Sequence, residues 1–583
     1  MAEPASPPRA RAKRATALAQ PALPPAERDA AGGDAADHRD RWRRRLTSTG
    51  DAIIVALLWA GGMLVAFGPT LRSGLRLIQR DWGDTRLNNY ILEHGWRWLA
   101  GVPGHERLWS PPVFYPAPNT FAYSDVLLSV APPYWALRAA GVAPDTAFQL
   151  WELLMATLNY AVALLFLRRV VRTSVPAAAL GAAVFAFAGM RIAQIQHPQL
   201  IPQFLVIGAV WGAARLCAAD ARGSGERGGT HAAWWIALLF GCIVAQLYAA
   251  FYYAWFLALS LGIAAAWALA SRATRAPLVA TLRRHAGALA TASALAALAA
   301  FPLAEHYLRA ARQVGFRDFG TVLPFLPRPA SWVYLGVESR MYGWLAPYHP
   351  FASIPMGHEQ RLGLGLVTSA VVVAGLWRGR ARPLARLMAL ASITIVLVAT
   401  LWPGEVTAWR IVYAVVPGAS ALRAISRIAL MLLVPAAVGV ALFADAIPAR
   451  RPAGVLVLAA TALAIALEQR QALVSYDKYV GRARVHAVAA LVRPDCQAFL
   501  YAPTGGREDP WWYHVDAMWA SMAAGVPTIN GYSGNQPPWW SFYHNVAYDA
   551  EHARTITHDL DAWARRWRLD RGRLCVVSLT PPD

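Results

Sequence analysis

Apolar residues recur along this chain in blocks of about twenty, the length a helix needs to cross ~30 Å of hydrocarbon. The first block, Ala52–Thr70 (AIIVALLWAGGMLVAFGPT), holds no charged side chain. Further blocks follow at Phe148–Leu167, Val175–Met190, Leu200–Leu216, Ala232–Leu247, Phe251–Ala270 and Ala286–Ala304. After a long polar stretch come Leu362–Trp377, Leu387–Leu401, Ile428–Phe443 and Ala453–Leu467. The pattern predicts an all-α polytopic membrane protein of about eleven transmembrane helices.

The polar positions concentrate in three places between and after these blocks: the loops 71–147 and 305–361, and the segment 469–583. The first loop is the densest. It reads DWGDTRLNNYILEHGWRWL from Asp81 to Leu99, then LWSPPVFYPAPNTFAYSD from Leu108 to Asp125. The spacing predicts a surface helix over Asp84–Leu99, with Asp84 at its N-terminus, where a carboxylate also caps exposed amides. The Pro-rich run after it is expected to be irregular, and Val126–Ala139 a short re-entrant or interfacial helix. In the C-terminal segment QAFLYAP and RLCVVSL read as strands and Ala562–Trp567 as part of a helix, so a small α/β domain is expected over 469–583. No repeat of fixed period is present.

Composition agrees: 56% of the 583 residues are hydrophobic and only 15% charged. The net charge of +21 would by itself admit nucleic acid as a partner. Its placement argues otherwise. The arginines lie in the tail 1–48, which is Ala- and Pro-rich and expected to be disordered, and in alternate short loops: Arg168, Arg169 and Arg172; Arg215, Arg222 and Arg227; Arg272, Arg275, Arg283 and Arg284; Arg378, Arg380, Arg382 and Arg386; Arg450 and Arg451. That is the positive-inside pattern, with membrane lipids and not nucleic acid as the partner. It keeps the N-terminus cytoplasmic and puts the long loops and the C-terminus outside.

Four cysteines are too few for a disulfide framework. Cys217 and Cys242 fall in or beside apolar blocks, and Cys496 with Cys575 could pair if the C-terminal segment faces an oxidising compartment.

Candidate chemistry gathers at the outer ends of the blocks. A carboxylate there, partly desolvated and so raised in pKa, could take a proton from a hydroxyl; Asp84 leads, with Asp81 and Asp125 as rivals. The alternative for Asp84 is that it only caps its helix. Gly357-His358-Glu359-Gln360-Arg361 precedes a block at the same depth; His358, Glu359 and Arg361 could meet a sugar hydroxyl, a metal ion or a phosphate, or merely anchor the helix end. Arg423 and Arg427, four residues apart, defy the positive-inside trend, and a guanidinium forks onto phosphate oxygens; Arg410 could join them. His94, Asn88, Tyr115 and Asn119 of the first loop, and Gln194 with His197, are further candidates to line the cavity. The aromatic residues Trp511, Trp512, Tyr513, Tyr532, Trp539, Trp540 and Tyr543 could stack on sugar rings or line the membrane interface. Neither HExxH nor GxxxxGK[ST] occurs, so no cofactor is certain; a divalent cation (Mg or Mn) is neither required nor ruled out.

The long first loop with acidic residues just past the first block, the surface helix and the many blocks resemble the GT-C superfamily of integral-membrane glycosyltransferases. The stretches GDTRLNNYILEH and LWSPPVFYPAPNT resemble a bacterial branch of it, and ALRAISR and INGYSGNQPPWW do so more weakly. The resemblance covers Ala52 to Leu467 in architecture and little beyond the first loop in motif. Members often carry two adjacent acidic residues in that loop, whereas here Trp82 and Gly83 separate Asp81 from Asp84. It implies an inverting transferase that moves a sugar from a polyprenyl-phosphate donor to a glycan, lipid or protein acceptor of the cell envelope, with an acidic residue of the first loop as base. A polymerase or ligase of surface polysaccharide would use the same donor. A transporter or flippase of lipid-linked saccharide would instead want polar residues at mid-membrane, where Glu152 is the exception among apolar neighbours.

Overall fold

A computed structural model describes residues 30–79, 82–220, 228–448, 451–505 and 509–580, with backbone alone for 30–48, 219–220 and 228–230. Two units result, Met1–Ile53 and Ile54–Asp583. Of the first, the part from Ala30 onward is helical, belonging to the helix Ala30–Arg72. The disordered tail expected over 1–48 otherwise lies outside the described residues. Its Ala- and Arg-rich composition from Ala30 favours helix, which the Pro-rich reading underweighted.

The second unit is mostly helical. Among the described residues, eight helices are long and apolar enough to cross a membrane: Thr49–Arg72, Pro144–Val171, Val175–Ala193, Pro198–Ala218, His231–Ala249, Phe251–Ala270, Ala286–Val314 and Ile425–Asp445. Three shorter apolar helices, Leu366–Arg378, Pro383–Ala399 and Pro452–Glu468, occupy the remaining expected positions. The molecule is thus consistent with a multi-pass membrane protein. Proline stands in the first turn of the helices at Pro144, Val175, Pro383 and Pro452, where its missing N–H removes no internal bond. Small residues let helices approach closely: a Cβ on Gly375 would stand 1.8 Å from the Gly439 carbonyl oxygen.

Glu468, at the end of the last apolar helix, reaches across to start another. Its buried carboxylate accepts from the Val367 amide at 2.8 Å and from the Thr368 amide and hydroxyl, both at 2.7 Å, at the N-terminus of Leu366–Arg378. The Tyr342 hydroxyl donates to it at 2.5 Å. This supplies a negative charge where the amides of a helix end are unmet. Gln469 continues the tie, accepting from the Gly189 amide at 2.7 Å, where the helix Val175–Phe187 breaks at Ala188 and restarts.

The segment after Gln469 forms strands where the alternation placed them. Ala498–Tyr501 runs parallel to Leu574–Val577, and Cys496 is disulfide-bonded to Cys575 across them. Cys217 and Cys242 are half-buried and stand outside that disulfide. The helix Ala550–Trp567 contains the stretch read as helical. A second small sheet pairs Leu77–Gln79 antiparallel with Ser475–Asp477, which joins this segment to the first loop.

Two expectations for the first loop are corrected. The helix Asp84–Leu99 forms, but Thr85 to Gly95 are buried and do not lie open on a surface. The cover comes from chain distant in sequence: Arg86 pairs with Asp516 at 2.6 Å, and Glu93 receives Arg138 at 2.7 Å and the Tyr134 hydroxyl at 2.9 Å. In Val126–Ala139 only Pro132–Ala139 is helical, since two prolines in its first turn fix where it begins.

Replacing Glu468 with alanine leaves the amides of Val367 and Thr368 buried and unmet, at about 1–3 kcal/mol for such a loss. The Glu468→Ala variant is expected to melt several degrees below the unaltered protein in detergent, measured by intrinsic fluorescence.

Candidate active site

Four charged side chains from four separate segments meet at one end of the helices. Asp84 opens the helix Asp84–Leu99, and His197 lies in the short turn between Val175–Ala193 and Pro198–Ala218. Glu359 precedes Leu366–Arg378, and Arg427 sits in the 3₁₀ turn Ile425–Leu432 that leads into Leu433–Asp445. Asp84 Oδ2 lies 2.6 Å from His197 Nδ1. On the other side of the imidazole, Nε2 is 3.2 Å from Glu359 Oε1 and 3.0 Å from an Arg427 nitrogen. Arg427 forks onto Glu359 at 2.6 and 3.1 Å. Asp84 and Arg427 therefore stand one imidazole apart.

The carboxylate of Asp84 has a third partner. The Tyr532 hydroxyl donates to Oδ1 at 2.6 Å, and the Tyr532 ring stacks on Trp511 at 5.6 Å between centroids. Trp511 in turn lies against Gly83, where a Cβ would come within 2.0 Å of the indole. Among the described residues no side chain caps this helix; the Asp84 carboxylate, in its first turn, goes to His197 and Tyr532. Its side chain keeps 23% exposure, whereas Glu359 keeps 4%. The open carboxylate faces out of the cluster and the closed one holds it together.

Charge partners set the protonation. Burial would raise Asp84, but His197, the Tyr532 hydroxyl and Arg427 outweigh it and hold the carboxyl below its ordinary value. The sequence-based expectation of a raised Asp84 is thereby corrected: desolvation is present, and the cations overcome it. Glu359 follows the same logic more strongly, with Arg427 and His197 outweighing its burial. Burial and Arg427 push His197 toward neutrality, yet Glu359 and Asp84 win and raise it. The raised carboxyl belongs to Asp125, which burial lifts to about 6 although it accepts the Phe251 amide at 2.7 Å. That amide opens the helix Phe251–Ala270, so Asp125 serves a helix end.

Above the cluster lies a second group of cations. Tyr252 packs under Arg427 at 5.5 Å and its hydroxyl accepts from the Arg423 amide at 3.0 Å. Arg423 is exposed, with its guanidinium 5.0 Å over the ring of Phe325. Arg317 is close enough that burial first, and the charge of Arg423 next, hold it below its ordinary value. Its guanidinium donates to the Gly534 carbonyl and Asn535 Oδ1, both at 3.0 Å, and to no carboxylate among the described residues. Arg410 lies apart from Arg427, over Phe319 at 4.7 Å. No sequence signal marks Arg317; it is one arginine in a long polar loop.

The other candidates separate. Asp81 lies outside the described residues. Asn88 donates to the Asp84 carbonyl at 2.7 Å, leaving Oδ1 buried without a partner, so it supports the site from behind. Arg361 is buried in a pair with Glu338 at 2.8 Å and bonds the Ala193 and His358 carbonyls, which makes it structural; His358 is exposed. Gln194 takes the His197 amide on its carbonyl at 2.9 Å, and its side-chain amide is buried without a partner. His94 does not join Asp84. It pairs with His105 at 2.8 Å and with the Leu108 carbonyl at 2.9 Å, and burial lowers it to about 4. Asn119 is held by His306 at 2.6 Å, and Tyr115 makes backbone bonds to Thr528 and Trp563. Of the aromatics, Trp511 and Tyr532 reach the site, Tyr513 and Trp540 are core, and Trp539 and Tyr543 are exposed. No group of three His, Cys, Asp or Glu among the described residues has the arrangement of a metal site. His197 spends both ring nitrogens on its neighbours.

The chain matches no protein-family model and no curated protein.

A raised His197 stabilises the fold below its unfolded value near the ordinary ~6.5 and ceases to do so as pH rises through its folded value. Asp84 and Glu359, both lowered, contribute above the ordinary carboxylate range and lose that as pH falls through their folded values. Melting temperature is therefore expected to decline from neutral pH upward in the unaltered protein. In His197→Gln that alkaline decline should be absent, as followed by melting scans between pH 6 and 10.

Proposed function

We propose that this protein is a bacterial inner-membrane glycosyltransferase of the GT-C kind. It moves a sugar from a polyprenyl-phosphate donor to a cell-envelope acceptor on the periplasmic face, with its N-terminus cytoplasmic and C-terminus periplasmic. The observation that carries the reading is Asp84, fixed by His197 and Tyr532 near Arg423 and Arg317, neither of which meets a carboxylate among the described residues. A base and a phosphate clamp in one place are what transfer from a phosphate-linked sugar needs.

The acceptor hydroxyl donates its proton to Asp84 while its oxygen bonds the anomeric carbon from the face opposite the phosphate. The carbon–oxygen bond to phosphate breaks, and the electron pair leaves on the carrier phosphate. Arg423 and Arg317 offset that growing negative charge. One displacement inverts the anomeric centre. Asp84, held ionised, is a weak base, so the proton moves late, once attack has made the hydroxyl acidic. Positioning supplies most of the rate and the carboxylate about 10²–10⁴-fold. Trp511, held against Gly83 and Tyr532, offers a ring face beside the carboxylate for the acceptor sugar. The bonds of Arg191, buried within a span, go to the carbonyls of Phe185 and Leu200 and to Gln203, a structural use.

Asp84→Asn is expected to lower sugar transfer by about 10²–10⁴, read as label moved from polyprenyl-phosphate sugars in membranes with protein levels matched. Full activity in that variant would overturn the assignment. With Asp84 as base, the rate should hold as pH falls to the carboxylate range. With Asp125 as base it would halve near pH 6, so the acid limb of the pH profile separates the two, and Asp81→Asn gives the third arm. Arg423→Gln should raise the donor KM with smaller change in kcat.

A further inference from the structure

A cavity of about 320 Å³ opens beside the helix Asp84–Leu99, against the start of Pro144–Phe166 and the helices Lys478–Ala489 and Pro510–Ala524. Arg86, Arg97, Lys478, Arg482, His486 and Asp145 line its polar wall, and Trp519 and Tyr476 supply ring faces. The carboxylates that answer these cations are few. Arg86 is paired with Asp516 at 2.6 Å, and Arg482 with Asp145 at 2.6 Å. Arg97 meets Glu93 at 3.1 Å, but Glu93 already holds Arg138 at 2.7 Å. Asp516 likewise also holds Arg484 at 2.8 Å.

Among the described residues, Lys478 has no carboxylate in hydrogen-bond reach. Its ammonium donates to Thr146 Oγ1 at 2.7 Å and Gln149 Oε1 at 3.2 Å, and the residue is 6% exposed. The neighbouring Asp477 is turned away, to Arg76 at 2.6 Å and to the Tyr479 amide at 2.9 Å. The hydrogen bonds of Lys478 go to neutral oxygens, and the nearby Asp145 already holds Arg482, so positive charge exceeds negative around the cavity. Two helix N-termini, of Pro144–Phe166 and Lys478–Ala489, sit on the same cavity and add partial positive charge to it.

We infer that this cavity binds a phosphomonoester group, held by Lys478 and the guanidinia of Arg482 and Arg97. A dianionic phosphate suits the excess of positive charge better than one carboxylate, and guanidinium forks match its oxygens. The site stands apart from Asp84 and does not depend on its chemistry. A sugar phosphate and the headgroup of phosphatidic acid present the same group, and the Trp519 and Tyr476 rings favour the sugar.

The test uses the full chain in nanodiscs of phosphatidylcholine, titrated with glucose 1-phosphate by calorimetry. Saturable binding is expected, weakened about tenfold or more in Lys478→Met and in Arg482→Gln. It should be kept in Arg423→Gln, which marks the other site. Arg482 is half-exposed, so its variant remains informative if Lys478→Met unfolds. Nanodiscs doped with phosphatidic acid form the second arm. Competition with the sugar phosphate that Arg482→Gln abolishes would identify a lipid headgroup at the same site and sustain the inference. Absence of binding in both arms, or binding indifferent to both substitutions, would overturn it.

Discussion

A carboxylate taken out of water either meets a cation or takes up a proton. In this protein that rule is met by a chain of alternating charge, Asp84, His197, Glu359 and Arg427, in which each group lies within 3.2 Å of the next. Glu359 is the nearly closed member, and it fixes Arg427 and His197 where they can act on Asp84. Remove Glu359 and Arg427 stands buried with no carboxylate in reach among the described residues, which costs far more than the pair itself contributes. The four segments that supply these residues are thereby held at one end of the helices. The partly open carboxylate is the product of three others being closed.

That arrangement explains why a site proposed for proton transfer carries a low carboxyl and not a raised one. A raised group would be protonated for part of the working range and unable to accept. Asp84 is held available by His197 and Tyr532, and strength is given up for readiness. Asp125 shows the contrasting case nearby: more enclosed, its carboxylate accepts the Phe251 amide with no cation in contact among the described residues, and desolvation prevails.

The helical segments were legible because a membrane span writes itself in consecutive residues. The density of polar groups after the first span likewise pointed to Asp84. Glu359 and Arg361 mark where reading stopped. They stand two apart in one short motif, yet one enters the charge chain and the other pairs with Glu338. Spacing could not separate them, because their partners come from elsewhere. The same holds for Tyr532, noticed only as one aromatic among several, and for Arg317, whose environment is made by Arg423 and residues of the C-terminal segment. The surface helix was misjudged for a related reason: its polar face suggested water, and Asp516 had already taken its arginine.

Tyr532 follows Asp84 by 448 positions, and the strand beside the first loop is completed only by Ser475–Asp477. During synthesis the first loop therefore emerges long before the residues that orient its carboxylate. A growing chain carries Asp84 without Tyr532, and the aromatic pair that shields it is not yet made.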